Sequence, residues 1–213
     1  MAGICLIRLK YVRPQFVPPW LGISSENAAH RVAVEWEENG VRREGVYVRR
    51  RDTNSRLNEL AGGRLFPGIH HRARFAVQES HGHYDVNVSS DDGQTDLGVK
   101  GSVVDELPTS SIFHSLRQAS EFFRTGSLGY SATAEPGCFQ GLELRCHDWQ
   151  VAPLAIEEVW SNFFDDEKLF PRDSIHFDCA LLMRNIEHEW YGRRDLCVSE
   201  FRNHIPAAIS EFV

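Results

Sequence analysis

Arg31-Val32-Ala33-Val34-Glu35-Trp36 is the stretch of this sequence that decides its fold class. Apolar and polar residues alternate along it, and side chains of a β-strand alternate between two faces, so the stretch predicts a half-buried strand. After the turn signal Glu38-Asn39-Gly40, residues 45–49 resume with β-branched and aromatic side chains. This order predicts a β-hairpin.

The rest of the chain continues the pattern of short strands and turns. Gly and Pro are dispersed between the predicted strands, where they indicate turns. The sequence contains no internal repeat and no linker-like segment. Apolar residues recur at helical spacing in residues 55–61 and 111–124. We therefore expect one α+β, mostly antiparallel β domain whose sheet closes on itself, with a few flanking helices. The other predicted strands are His71–Glu79, Tyr84–Ser89, Leu97–Glu106, Gly141–Arg145, Trp149–Ile156 and Ile175–Glu187.

Charge and cysteine usage argue against several classes of protein. The net charge of −7 disfavours nucleic-acid binding, because contacts to phosphates need clustered Lys and Arg. No run reaches the ~20 apolar residues of a membrane span, and the first residues lack the long apolar region of a signal peptide. The five cysteines are odd in number and scattered, which predicts reduced interior thiols. We expect a cytoplasmic protein without nucleic-acid or membrane partners.

Several sequence blocks resemble those of one family. The chain resembles the YqjF-like family, which is similar in fold to acetoacetate decarboxylase, from about Ile4 to Trp190. The resemblance implies a single domain over residues 1–190 with a closed, cone-shaped sheet and an internal small-molecule cavity. It also implies a homo-oligomer, and it leaves residues 191–213 as a C-terminal tail. The blocks that carry it are residues 43–55 (REGVYVRRRDTNS), 62–71 (GGRLFPGIHH), 119–124 (ASEFFR), 126–131 (GSLGYS), 178–183 (DCALLM) and 188–190 (HEW).

One departure from the decarboxylase pattern concerns its reactive lysine. In acetoacetate decarboxylase, Phe-Pro is followed by a lysine pair that supplies the Schiff base, whereas this chain has Gly68-Ile69 after Phe66-Pro67. Imine chemistry requires an amine with a lowered pKa, so the decarboxylase mechanism is not implied here. Lys100, on a strand-like run, is the one lysine that we consider as a replacement.

His70 and His71 follow directly where the lysines would be, and imidazole titrates near neutral pH. We consider His71 as a catalytic acid or base and His70 as a ligand-binding residue. Strand alternation points the two rings to opposite faces, so they do not form a metal site together. We expect no metal and no cofactor. A structural histidine in the wall of the sheet is the alternative for each.

Arginines are concentrated in the same part of the chain, between Arg42 and Arg74. Guanidinium groups that converge on a cavity bind a carboxylate or phosphate bidentately. The candidates are Arg49, Arg51 and Arg64. The alternative is that they pair with nearby acids or are solvated.

Three further residues complete the candidate site. Glu35, on the polar face of its strand, is a candidate general base, because a carboxyl that projects into the cavity of a closed sheet has a raised pKa. Tyr130 and Lys100 are candidate ligand-binding residues, with core packing and solvation as their respective alternatives.

Two functions from different classes remain open at this point. One is a binder of a small anionic and hydrophobic ligand, and it is the function we favour, because the lysines are missing. The other is an enzyme that acts on a carbonyl or carboxylate compound, with His71 or Glu35 as acid or base and Arg64 holding the anion.

Overall fold

The computed structural model describes residues 1–13, 16–38, 40–60 and 68–197. It is mostly β, with two α-helices, and its pairings are mixed but mostly antiparallel. This confirms the coarse fold class. The strands are β1 (Ala2–Val12), β2 (Ile23–Glu38), β3 (Val41–Thr53), β4 (His70–Ser80), β5 (His83–Ser90), β6 (Asp96–Val103), β7 (Leu128–Ala132), β8 (Cys138–Cys146), β9 (Ala152–Ser161), β10 (Ala180–Leu182) and β11 (His188–Cys197). The helices are α1 (Arg56–Leu60) and α2 (Leu116–Thr125), with a 3₁₀ turn at Pro19–Leu21.

Contacts between residues divide the chain into two compact units. The first, called unit 1, consists of described residues from Met1–His71, Gly126–Arg145 and the segment that begins at Glu189. The second, called unit 2, consists of Arg72–Thr125 and Cys146–His188.

The predicted hairpin is the frame of unit 1. β2 and β3 pair antiparallel from Asn27↔Thr53 to Glu38↔Val41, which confirms the prediction. The register shifts once, because His30 pairs with Arg50 and Arg31 pairs with Val48. Arg49 is therefore the extra residue of a β-bulge, which bends and twists the strand locally.

The other strands of unit 1 extend this hairpin on both sides. The strand order is β1-β2-β3-β7-β8-β11, and β7 pairs parallel with β3 while the β1–β2, β2–β3 and β7–β8 pairs are antiparallel. The short helix α1 follows β3. Its cap is Ser55, whose Oγ accepts the Asn58 N–H at 3.3 Å.

Unit 2 is an antiparallel meander with one helix. Its strand order is β4-β5-β6-β9-β10, and each strand pairs antiparallel with the next in this order. The helix α2 begins later than predicted, because Ser111 and the Ile112 N–H instead bind the Asp178 carboxylate, each at 2.8 Å. Ser115 caps the helix by accepting the Gln118 N–H.

The closed sheet expected from the sequence is wrong for the described pairings, since the sheet is open. A closed sheet has no edge strand, whereas β1 pairs with β2 alone among the described strands. Here β7 returns to pair in parallel with β3, so chain order and pairing order differ.

The strands β1, β7 and β11 were not predicted, and of the predicted strand 175–187 only Ala180–Leu182 is a strand.

The expectation that all cysteines are reduced is also wrong. Cys138 and Cys197 form a disulfide that joins β8 to β11 within unit 1. The Arg145 guanidinium lies over the Tyr191 ring, and Arg193 pairs with Glu143. Residue numbers therefore fall along β8 as they rise along β11, as in an antiparallel pair. The strand β11 thus passes residue 190, where the tail was expected to begin. The sequence could not reveal the disulfide, because its partners are 59 residues apart.

The disulfide bears on the expected compartment. Disulfides persist mainly in oxidising compartments, so this bond does not support the cytoplasmic location, which stays a prediction. Neither described helix has the length and apolar character needed to cross a membrane.

Breaking the disulfide should destabilise unit 1. We expect the double variant Cys138→Ser, Cys197→Ser to lose about 2–4 kcal/mol of unfolding free energy, because the cross-link restricts the unfolded chain. Urea unfolding of both proteins measures the loss. Cys179→Ser, at a half-buried free thiol, is the matched control. Five free thiols titrated in the non-reduced, denatured wild-type protein would contradict the disulfide itself.

Candidate functional site

The candidate site is built around Gly68, which the sequence resemblance would align with a lysine of acetoacetate decarboxylase. Gly68 has φ 87°, in the left-handed region that favours glycine. Its N–H donates to Gln140 Oε1 at 3.2 Å. A Cβ placed on it would lie 2.6 Å from the Cβ of Ser131. Backbone conformation and space therefore both require glycine, and a lysine does not fit here without rearrangement.

Arg51 lies against the same point. Its Nε and Nη2 both donate to the Oγ of Ser131, at 3.1 and 2.9 Å, and Ser131 is only 2% exposed. The parallel pairing of β7 with β3 brings the two residues together. Burial, and secondarily the charge of Arg31, lower the pKa of Arg51 to about 10. Arg51 is therefore a charged donor at neutral pH, held in place by a buried hydroxyl.

His70 is the second predicted residue at this point. Its Nδ1 lies 3.3 Å from the Gly68 carbonyl oxygen. Because a carbonyl oxygen only accepts hydrogen bonds, Nδ1 carries the hydrogen and Nε2 carries the lone pair in the neutral ring. Burial, and next the charge of Arg51, lower the pKa of His70 to about 4. His70 is therefore neutral at pH 7.

Arg51 and His70 line one small cavity of about 30 Å³ within unit 1. One water molecule needs roughly 10–15 Å³ on this measure, so the cavity has room for about two water-sized groups. Asn58 is 3% exposed, and its Oδ1 has no hydrogen-bond partner among the described residues. The complete lining is Ile7, Leu9, Asn27, Ala28, Ala29, Arg51, Asp52, Asn58, His70, Leu142 and Trp190.

The opposite face of β3 carries a buried ion pair. Arg50 makes three contacts to the Asp52 carboxylate, at 2.8, 3.1 and 3.2 Å, and Asp52 is fully buried. His30, the cross-strand partner of Arg50, is fully buried as well. Its pKa is lowered to about 4 by burial and then by Arg50. This ion pair balances the charge of Arg50 within β3.

Two other predicted residues lie away from this cavity. Glu35 is 53% exposed and pairs with Arg42 at the far end of the hairpin, so it is not an interior general base. The reason is that its strand face is open to solvent there. Arg49 is the bulge residue of β3 and is exposed.

Tyr130 and His71 do not line the cavity either. Tyr130 precedes Ser131 on β7, so its side chain points to the face opposite Arg51. There its ring packs edge-to-face against Trp36, with 5.4 Å between centroids. This is the core packing given above as its alternative. His71 is half-buried next to His70 on β4 and does not line the cavity.

Lys100 lies in unit 2. It is 42% exposed and pairs with Glu157 at 3.3 Å, which agrees with the solvated alternative. Arg64 lies outside the described residues, as do Phe66 and Pro67. In the described part of the chain, no group of three or more His, Cys, Asp or Glu side chains could hold a metal ion.

Sequence reasoning missed three polar residues of this site. Ser131, Gln140 and Asn58 contribute the hydroxyl under Arg51, the acceptor for Gly68 N–H and the buried carboxamide. Ser131 ends the block 126–131, in which only Tyr130 was a candidate. Nothing in the sequence near Gln140 or Asn58 marks either residue as part of a site.

Comparisons with known proteins do not identify the chain. No protein-family model matches its sequence, and no curated protein matches it significantly.

Substituting Gly68 should cost more stability than substituting another glycine with a similar backbone conformation. We expect Gly68→Ala to lose about 1–3 kcal/mol beyond Gly93→Ala, because overpacking adds to the backbone strain. Gly93 has φ 69° and open space where a Cβ would lie, so it isolates the strain alone. Equal urea midpoints for the two variants would contradict the close contact with Ser131.

Proposed function

We propose that this protein binds a small carboxylate with a hydrophobic arm, in an acetoacetate decarboxylase-like, YqjF-like fold without the imine lysine. One observation carries the proposal. Arg51, His70 and Asn58 line one cavity, next to Gly68, where the resemblance places the reactive lysines. A guanidinium group is the side chain best suited to a planar carboxylate.

The size and walls of the cavity support this ligand class. Its room for about two water-sized groups matches the two oxygens of a carboxylate. A hydrocarbon arm needs more space than the two oxygens occupy, so the larger apolar side chains of the lining have to move apart to admit it. These side chains are Ile7, Leu9, Leu142 and Trp190. The remaining lining residues are Asn27, Ala28, Ala29 and Asp52, whose carboxylate is paired with Arg50.

The positions of the predicted acid and base favour binding over catalysis. An acid–base mechanism needs two titratable groups within hydrogen-bond reach of one point. Arg51 pairs with Ala29 in the hairpin, and Glu35 lies six residues further along β2, or roughly 20 Å at 3.3 Å per residue. Glu35 therefore does not share a reaction centre with Arg51 and His70. The enzyme alternative would rest on His71 and Arg64.

Removing the Arg51 charge should weaken carboxylate binding. We expect wild-type protein to bind butyrate, and Arg51→Gln to bind it roughly 10- to 100-fold more weakly, because a charge-assisted hydrogen bond contributes about 1.5–3 kcal/mol. Isothermal titration calorimetry measures the affinity, and urea midpoints confirm that each variant is folded.

Arg49→Gln is the matched control, since Arg49 is exposed two residues away on the same strand. Its affinity for butyrate should equal that of wild type. Equal losses in Arg49→Gln and Arg51→Gln, or no butyrate binding by wild type, would contradict the proposed function.

The protein should not form an imine with acetoacetate. Gly68 and Ile69 provide no amine, and Lys100 is engaged with Glu157 without a neighbouring lysine. We expect intact-mass measurement after incubation with acetoacetate and borohydride to show no added mass. Trapping at Lys100, together with carbon dioxide release that Lys100→Ala abolishes, would refute this prediction.

A further inference from the structure

We propose that β1 is the contact between two copies of this chain, which pair antiparallel along the free edge of this strand about a two-fold axis at Cys5. The inference does not depend on the proposed ligand. It names the partner that this edge of unit 1 fits, which is the same strand of a second copy. Hydrogen bonds between the two backbones then join two units of this kind into one sheet.

The first argument is that β1 has an open edge among the described strands, since it pairs with β2 alone. The Met1 carbonyl oxygen accepts the Ala33 N–H at 2.8 Å, and facing residues of an antiparallel pair exchange hydrogen bonds at every second position. Counted from Met1 in this register, the odd-numbered residues of β1 direct their N–H and C=O groups to β2. The backbone groups of Ala2, Ile4 and Leu6 therefore point to the open side.

The second argument is that this edge carries none of the features that usually prevent pairing. Free edges are blunted by charged side chains, by proline, by bulges or by a short strand. Residues 2–7 contain neither a charge nor a proline, and their register with β2 is regular. The other edge strands of the described pairings are protected: β10 has only three residues, and β11 carries Arg193 and Arg194. The edge of β1 is therefore suited to receive another strand.

The third argument is that the edge is complementary to itself. When two copies pair about an axis at Cys5, Ile4 lies opposite Leu6 of the second copy, and Ala2 lies opposite its Arg8. Outward-facing residues then meet outward-facing residues, so each N–H finds a C=O. Ile4 and Leu6 are half-exposed, and in this register their apolar side chains pack against each other as cross-strand pairs.

The charges and the length of the regular edge favour this position of the axis. With the axis at Cys5, the two copies of Arg8 lie about six residues apart along the pair, or roughly 20 Å, which exceeds the screening length of ~8 Å. With the axis at Leu6, the same charges lie roughly 13 Å apart, and Lys10, beyond the regular register, enters the pair. With the axis at Ile4, residues after position 7 find no partner. The axis at Cys5 thus pairs the whole regular edge and separates the like charges.

Sedimentation velocity of the full chain in reducing buffer tests the pairing. We expect wild-type protein at micromolar concentrations to have twice the chain mass of 24.3 kDa. Leu6→Pro removes an N–H that the β1–β2 pair does not use, so this variant should keep its fold. Its dimer should dissociate at a concentration at least about tenfold higher, because each copy loses a hydrogen bond of the interface. Leu6→Val keeps the N–H and is the matched control, which should remain dimeric.

The position of the axis predicts which cysteine meets its own copy. Facing residues without direct hydrogen bonds have Cα atoms about 4.5 Å apart, within the roughly 4.4–6.8 Å that a disulfide spans. Diamide takes up one hydrogen from each of two thiols as the S–S bond forms, so it should link two copies of wild-type protein through Cys5. Cys146→Ser and Cys179→Ser, at the other free thiols, should cross-link like wild type, whereas Cys5→Ser should not.

Each outcome supports or overturns the pairing along β1. A monomer at every concentration would overturn it, as would a dimer that persists unweakened in folded Leu6→Pro or that cross-links through another cysteine. If Leu6→Pro does not fold, amide hydrogen exchange of wild-type protein decides. The Ile4 and Leu6 N–H groups should exchange more slowly as protein concentration rises. Exchange of these two groups that does not change with concentration would refute the proposal.

Discussion

The fork of Arg51 around the Ser131 hydroxyl is the interaction on which the candidate site depends. It requires β7 to pair in parallel with β3, since only that pairing brings Ser131 beside the end of β3. It also requires a residue without a side chain at position 68, because the Ser131 side chain occupies the space that a Cβ would need. Gly68 in turn aims its carbonyl oxygen at His70. One contact thus links the topology, the glycine at position 68 and the histidine tautomer.

The hairpin at the centre of unit 1 was predictable because its signal is local. Alternation in residues 31–36 and the turn at Gly40 specify two strands with a defined register, whatever the rest of the chain does. The parallel pairing of β7 was not predictable, because nothing local distinguishes a five-residue strand that pairs with its neighbour from one that returns to β3. The open sheet and the disulfide follow from such distant pairings, and both were therefore missed.

The residues of the candidate site also divide into those that the sequence indicates and those that only the tertiary structure reveals. His70 stood out because it directly follows the position where the resemblance places the lysines, and Arg51 because arginines are concentrated between Arg42 and Arg74. Glu35 failed as a candidate because alternation gives only the face of a strand. It does not say whether that face meets a cavity or solvent, and here Glu35 meets solvent and Arg42. Ser131 and Asn58 are ordinary polar residues whose importance comes from burial, which depends on the tertiary structure.

The two faces of β3 show why one half-buried arginine is structural and the other is suited to a ligand. Arg50 is matched by the Asp52 carboxylate, so its charge is balanced within the protein. Arg51 donates to the neutral hydroxyl of Ser131, and a nearby cation, Arg31, opposes its charge. A buried cation is costly unless an anion or strong hydrogen bonds compensate it. A bound anion would recover the free energy that such a residue costs, which is the physical reason to place the proposed ligand at Arg51 and not at Arg50.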